Sequence, residues 1–134
     1  MTSTPTIREV DRDPLQRMRA YQLAKELRTI SWADAEALRE QPITSEIAPQ
    51  LYLAVGSIAA NLAEGYSRSS GKDRAHIFEY ALGSTRETLE WYQSGLPVLG
   101  EDVVHAREDI LVEIRRLLIA TIPRERTRTI RPGG

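Results

Sequence analysis

The chain contains no cysteine, and this absence excludes disulfide bridges, thiolate metal sites and cysteine nucleophiles. Long hydrophobic runs are also missing, because the most apolar stretch, residues 51–63, is far shorter than the roughly 20 residues that span a bilayer. The first residues carry charges at positions 8, 9, 11 and 12 and lack the apolar core of a signal peptide. We therefore expect a cytoplasmic protein without a membrane segment.

A strong excess of one charge is absent as well, since 18 basic residues stand against 19 acidic ones. With 41% hydrophobic and 28% charged residues, the 134-residue chain has the composition of one folded domain rather than of a disordered chain. A domain of this size holds a core without covalent crosslinks. The phosphate-binding loop, the dinucleotide fingerprint and the nucleophile elbow of hydrolases are all missing from the sequence, so we expect no enzyme.

Hydrophobic residues recur with helical periodicity in four segments, and apolar–polar alternation never persists long enough for a strand. The expected fold class is all-α, and short connections favour an antiparallel up-down-up-down four-helix bundle. Asp13 and Pro14 form a typical helix start, and Pro123 is expected to end the last helix. The sequence thus divides into a flexible N-terminal arm at 1–12, the bundle at 13–122 and a flexible basic tail at 123–134. The helices are expected at about residues 13–40, from 45 or 46 to between 65 and 71, at 72–96 and at 101–122.

The second helix is apolar on more than its core side, and the fourth helix adds two apolar residues on its outer side. A helix that is apolar nearly all round is buried on more than one side, which a lone bundle does not provide. We therefore predict self-association through these residues, which we call the outer apolar set. The alternative is that small residues are simply exposed on a surface helix. The set comprises Leu53, Gly56, Ala60, Ala63, Val112 and Ile119.

Two gapless motifs lie on neighbouring predicted helices. Residues 57–65 read Ser-Ile-Ala-Ala-Asn-Leu-Ala-Glu-Gly, followed by Tyr66 and Arg68, and residues 81–84 read Ala-Leu-Gly-Ser, followed by Glu87. In these segments the chain resembles a bacterial four-helix-bundle family first met as reading frames inside 23S rRNA intervening sequences. The resemblance covers about residues 15–122 and implies a homopentamer. It also brings in a related branch, the accessory proteins of diversity-generating retroelements, and so implies nucleic acid and a reverse transcriptase as partners.

The polar residues of these motifs are Asn61, Glu64, Ser84 and Glu87. Partly buried carboxylates and amides must find hydrogen-bond partners, so such residues commonly fix the register between helices or between subunits. We therefore predict that they form a structural polar network, either inside the bundle or between subunits. Catalysis by these residues is the less favoured alternative, because perturbed polar groups often belong to structural networks.

Two His-x-x-Glu pairs, at His76 with Glu79 and at His105 with Glu108, invite comparison with the metal sites of helical bundles. Those sites have the reverse order, with the histidine three residues after the glutamate. In an antiparallel bundle the two histidines also lie on the order of 25 Å apart, at 1.5 Å per residue, so they cannot share a metal ion. We expect two solvated histidines, no metal and no cofactor.

One face of the first helix alternates cations with aromatic rings and is interrupted only by Glu36. Cations contact phosphates, and aromatic rings stack on unpaired bases, so this pattern favours single-stranded RNA or DNA. The alternative is that the rings pack against another helix or subunit while the cations pair with glutamates. We call this surface the cation–aromatic face; its members are Arg17, Tyr21, Lys25, Arg28, Trp32 and Arg39.

The basic tail adds cations to an acidic body. Residues 1–123 hold 14 basic and 18 acidic residues, whereas the tail has four arginines and one glutamate. Three of these arginines, Arg124, Arg126 and Arg128, join the cation–aromatic face as candidate nucleic-acid contacts. The favoured function is an oligomeric accessory protein that engages nucleic acid or a nucleic-acid enzyme such as a reverse transcriptase. The alternative is an oligomeric scaffold that binds only a protein partner.

Overall fold

A computed structural model describes residues 6–128 of the chain, and all regular structure in this part is helical. The all-α prediction is therefore confirmed. Two 3-10 turns, Glu9–Arg12 and Pro14–Arg17, precede the first α-helix. The α-helices are α1 (Arg19–Arg39), α2 (Ile47–Tyr66), α3 (Gly71–Ser94), the one-turn α4 (Leu96–Leu99) and α5 (Glu101–Thr127).

The start of the first helix differs from the prediction. Asp13 does accept a hydrogen bond from the Leu15 backbone N–H, at 2.9 Å, as an N-cap should. However, it caps only a 3-10 turn, because Met18 has an extended backbone (φ −70°, ψ 117°) that interrupts the helical hydrogen bonds. The α-helix then begins at Arg19, so the predicted start at residue 13 was wrong for α1.

The turn between α2 and α3 depends on two small residues. Ser70 caps α3 by accepting a hydrogen bond from the Asp73 backbone N–H, at 3.1 Å. A Cβ atom at Gly65 would lie only 2.7 Å from two ring carbons of Phe78, whose side chain is fully buried and cannot move aside. The glycine that closes the Asn-x-Ala-Glu-Gly segment is therefore required by helix packing.

The predicted end of the last helix at Pro123 was wrong. The helix α5 continues through Pro123 to Thr127, so residues 123–127 of the predicted flexible tail are helical. The turn is held from the side by Glu125, which is buried and forms ion pairs with Arg74 at 3.4 Å and with Arg128 at 3.2 Å. Residues 129–134 of that tail, and residues 1–5 of the predicted N-terminal arm, lie outside the described residues.

The four long helices enclose one core. Each packs against the next along the chain, and α1 also contacts α5. The largest fully buried side chains come from all four helices: Leu27, Leu38, Leu51, Ile58, Leu62, Phe78, Tyr92, Leu111, Ile114 and Leu118. None of the described helices is both long and apolar enough to cross a membrane.

Candidate nucleic-acid interface

The cation–aromatic face lies on the surface of the bundle. Arg28 and Arg39 are exposed on α1, whereas Arg17 is exposed in the 3-10 turn that precedes it. The Tyr21 and Lys25 side chains are half-buried. The helical repeat of α1 therefore presents most of the predicted members together along one side.

Lys25 makes two side-chain contacts on this face. Its Nζ donates a hydrogen bond to Gln16 Oε1 at 2.7 Å and lies 5.5 Å from the centre of the Tyr21 ring. Neither interaction neutralises its charge. Within residues 6–128, the four cations of the face form no ion pair with a carboxylate. The described contacts thus leave their charges available to a phosphate.

Trp32 combines a fixed position with a large free surface. Its ring meets the Tyr52 ring of α2 edge to face, with centroids 5.3 Å apart and planes at 84°. Even so, 57% of the residue is exposed. The alternative expectation that the rings pack against another helix therefore holds in part, because Tyr21 contacts the core and Trp32 contacts α2.

An open cleft of about 340 Å³ adjoins Trp32, between the C-terminal half of α1 and the N-terminal half of α2. The two contacting aromatic rings line it together with small apolar residues. Its remaining lining is polar. The lining residues are Trp32, Ala35, Glu36, Arg39, Ser45, Ala48, Pro49 and Tyr52.

The arginines near the C-terminus are engaged differently from those on α1. Arg126 forms an ion pair with Glu79 of α3, and Arg128 pairs with Glu125. Arg124 donates a hydrogen bond from Nε to the Ala120 carbonyl at 3.1 Å. Two of the three predicted tail contacts are thus already paired with carboxylates. Sequence reasoning missed these pairs because it placed the arginines in a flexible tail rather than at the end of a helix beside α3.

The motif residues do not form one network inside the chain, so an internal network was wrong. Glu64 is exposed, and its one ion pair within residues 6–128 is with Arg68, in the turn that follows α2, at 2.6 Å. Glu87 is exposed and accepts one hydrogen bond, from the Trp91 indole N–H at 3.1 Å. Asn61 donates from Nδ2 to the carbonyl of Ser57, one turn earlier. A network between subunits stays a prediction.

The hydroxyl of Ser84 does connect two helices. Ser57 Oγ lies 2.6 Å from Ser84 Oγ across the α2–α3 contact, and it also donates to the Ala54 carbonyl at 2.9 Å. Gly83, next to it, has no atom within 4 Å of the position of a Cβ atom. The closest polar link between α2 and α3 is therefore a serine pair, not a carboxylate.

A buried ion pair between α1 and α5 was not predicted. Arg107 binds the Asp34 carboxylate with Nε at 2.8 Å and Nη2 at 3.2 Å, and the Tyr92 hydroxyl donates to the same carboxylate at 2.7 Å. Asp34 is only 5% exposed. Burial and the hydrogen bond to this carboxylate raise the pKa of Tyr92 well above its ordinary value of about 10. The available signal was the spacing of Ser31 and Asp34, which fall on the same helical arc as Leu27 and Leu38.

The outer apolar set lies on the outside of the single chain. Leu53 is 66% exposed, Ile119 50% and Val112 43%. Ala60 is exposed, whereas Gly56 and Ala63 are half-buried. The exposed apolar side chains lie on two helices, α2 and α5, and each group offers a surface for contact with another protein.

Both histidines are exposed, and His76 contacts Tyr80 with Nε2 at 3.1 Å from the hydroxyl oxygen. Within residues 6–128, no group of three or more histidine, aspartate or glutamate side chains is arranged to hold a metal ion. A second, charged cleft lies beside His76, between the start of α3 and the end of α5, and its lining includes Lys72, Glu79 and Arg126.

A family model described as 23S rRNA-intervening sequence protein matches residues 16–120 of the 134-residue chain. No curated protein matches the chain. The match begins before α1 and ends within α5, so it covers all of α1, α2 and α3, α5 as far as Ala120, and every residue of the cation–aromatic face.

Proposed function

The chain belongs to the 23S rRNA-intervening sequence protein family, and from this premise we propose that it is a non-enzymatic, oligomeric helical-bundle protein of the cytoplasm that binds single-stranded nucleic acid. The bundle in this proposal is antiparallel, up-down-up-down. The contacts between α2 and α3 support that arrangement, because Ser57 meets Ser84 whereas the later Gly65 meets the earlier Phe78.

The observation that carries the proposal is the state of the cations on α1. Lys25 lies over the Tyr21 ring, Arg28 and Arg39 are exposed, and none of these cations forms an ion pair with a carboxylate of residues 6–128. Phosphate contacts supply most of the affinity for a nucleic-acid strand, and stacking on aromatic rings adds affinity only where bases are unpaired. The arrangement therefore suits RNA or single-stranded DNA better than a duplex.

Self-association through the outer apolar set is the second part of the proposal. Leu53 and Ile119 expose large apolar side chains that a second copy would cover. The resemblance to the pentameric family favours five copies. Several copies of one weak site would raise the overall affinity for a strand long enough to reach them.

The protein partner in this proposal is a nucleic-acid enzyme such as a reverse transcriptase, as the resemblance to retroelement accessory proteins implies. The competing proposal is a scaffold that binds only a protein. The exposed Leu53 favours the scaffold, because a large exposed apolar side chain is suited to a protein contact. The scaffold does not, however, account for the unpaired cations of α1.

The test is fluorescence anisotropy with a labelled 20-nucleotide polyuridine RNA at 50 mM and 150 mM salt. Wild type should bind at low salt and weaken as salt rises, because each phosphate contact releases counterions. Lys25→Glu with Arg28→Glu should weaken binding by about tenfold or more. The matched control is Lys72→Glu with Arg86→Glu, which makes the same charge change at two exposed positions on α3.

Equal weakening in both double variants would mean that only net charge matters and that the α1 face is not the site. Absence of binding at low salt would reject nucleic-acid binding and leave the scaffold. Circular dichroism of each variant shows whether the helices are intact.

A further inference from the structure

Glu36 places a negative charge on the proposed phosphate-binding surface. It lies on α1 between Trp32 and Arg39, about one turn from each, and it is exposed. A carboxylate there repels the phosphate backbone that the neighbouring cations attract. Its position beside an aromatic ring suits another task, which is to accept hydrogen bonds from the edge of a base.

The cleft that Glu36 helps to line has the shape for such a base. Trp32 and Tyr52, whose rings contact each other edge to face, both line it, and Ala35, Ala48 and Pro49 add apolar surface. Its volume of about 340 Å³ lies at the lower end of the range for small-ligand sites, which is about 300–1,000 Å³. This space admits one planar group with its attached sugar. It is too small for a helix of a partner protein.

The polar groups on the cleft differ in charge. Arg39 brings a cation that can bind a phosphate, and Glu36 brings two acceptor oxygens and no donor. Guanine presents two adjacent donors, N1–H and N2–H, on its Watson–Crick edge. Uracil and adenine present an acceptor at one or both of the corresponding positions, so a carboxylate would repel part of that edge.

We propose that this cleft binds one guanine base of a single strand, stacked on Trp32, with its Watson–Crick edge at Glu36 and its phosphate at Arg39. The inference rests on the proposed nucleic-acid function and adds a base preference to it. The cations of α1 hold the strand regardless of sequence, and the cleft reads one position. Glu36 thereby recognises the guanine edge, although its charge repels the phosphates of any strand.

The experiment compares two labelled eight-nucleotide RNAs, one of uridines only and one with a single central guanine. Wild type should bind the guanine strand about tenfold more tightly, which is within the discrimination typical of a bidentate base contact. Glu36→Gln should abolish this preference, and its affinity for the uridine strand should stay equal or rise as a repulsive charge is lost. The matched control is Glu40→Gln, which removes the same charge at the exposed C-terminal end of α1.

Stacking is tested at Trp32. Trp32→Ala should lower affinity for the guanine strand by about tenfold, and Trp32→Phe should restore part of it because a smaller ring still stacks. More than half of the Trp32 surface is exposed, so these variants should keep the fold. Trp91→Phe provides a background in which the fluorescence of Trp32 alone reports the bound base.

The outcomes distinguish failure of the guanine site from failure of the proposed nucleic-acid function. Salt-sensitive binding of both strands with equal affinity would overturn the guanine site and leave the proposed function standing. No binding of either strand at 50 mM salt would overturn both. A Trp32→Ala variant with reduced assembled mass and an unchanged ratio of affinities would assign the cleft to a second copy of the chain, and this too would overturn the guanine site.

Discussion

Replacing Arg107 with methionine should destabilise the folded chain by about 3 kcal/mol. The Asp34 carboxylate is 5% exposed and accepts three hydrogen bonds, of which Arg107 supplies two and Tyr92 one. Removing one partner of a buried ion pair costs about 3–5 kcal/mol, because the other charge stays buried without compensation. The Arg107 side chain is itself 21% exposed, so water replaces part of the lost contact and the lower end of that range applies. Methionine keeps much of the apolar stem of arginine, which limits the loss of packing.

Urea and thermal unfolding at pH 7, followed by circular dichroism, measure this effect. For a domain of this size, 3 kcal/mol corresponds to a fall in the melting temperature of about 10 °C. The matched control is Arg116→Met, two and a half turns further along α5, where the ion pair with Glu113 lies at the surface. That variant should unfold almost as wild type does.

A second variant isolates the charge on Asp34. Asp34→Asn in the Arg107→Met background removes the unpaired carboxylate and should recover part of the lost stability. Equal losses of stability in Arg107→Met and Arg116→Met would contradict a special cost at the buried carboxylate. A double variant less stable than Arg107→Met alone would also contradict it, since the cost would then not come from a buried charge.

Three further expectations concern pH, packing and assembly. The raised pKa of Tyr92 means that the unfolded chain releases the phenolic proton at a lower pH than the folded chain does, so wild type should lose stability as pH rises beyond about 10. Urea unfolding at pH 8 and at pH 10.5 should show a smaller loss for Tyr92→Phe. Gly65→Ala should lower the melting temperature because its Cβ would clash with the buried ring of Phe78. Gly83→Ala has open space around its Cβ and should leave the melting temperature unchanged; equal shifts in the two variants would contradict the role of packing at Gly65. Light scattering should give wild type a mass well above the 15.1 kDa of one chain. Ala60→Glu should lower this mass by placing an unpaired charge in the contact between subunits. A wild-type monomer at micromolar concentration would rule that contact out.

Periodicity predicted the fold well because burial follows the helical repeat. Leu51, Ile58 and Leu62 recur at helical spacing along α2, and all three are fully buried. The same regularity places the cations and rings of α1 on one exposed side. Amphipathic order of this kind is local information, so the sequence alone is sufficient to read it.

The errors arose where distant residues override a local rule. Proline normally ends a helix, but the ion pair of Glu125 with Arg74 of α3 holds the turn that follows Pro123. The helical spacing of Asp34 indicates burial, but its partner Arg107 lies 73 positions later in the chain. No local pattern contains such pairings. The cleft was missed for the same reason, because its two sides come from different helices.

The last turn of α5 also determines how the C-terminal arginines are to be studied. The backbone carbonyls of Glu125 and Arg128 approach Gly71 so closely that a Cβ atom there would lie 2.1 Å and 2.6 Å from them. Arg74 in turn packs its guanidinium over the Tyr66 ring at 4.8 Å, beside Glu125. A chain cut after Pro123 would therefore lose the closure over the start of α3 and leave a half-buried guanidinium without its anion. Weaker RNA binding by such a truncated chain would report local unfolding as much as lost charge, so neutral substitutions such as Arg124→Gln, made in the full-length chain, are the sound way to weigh these cations.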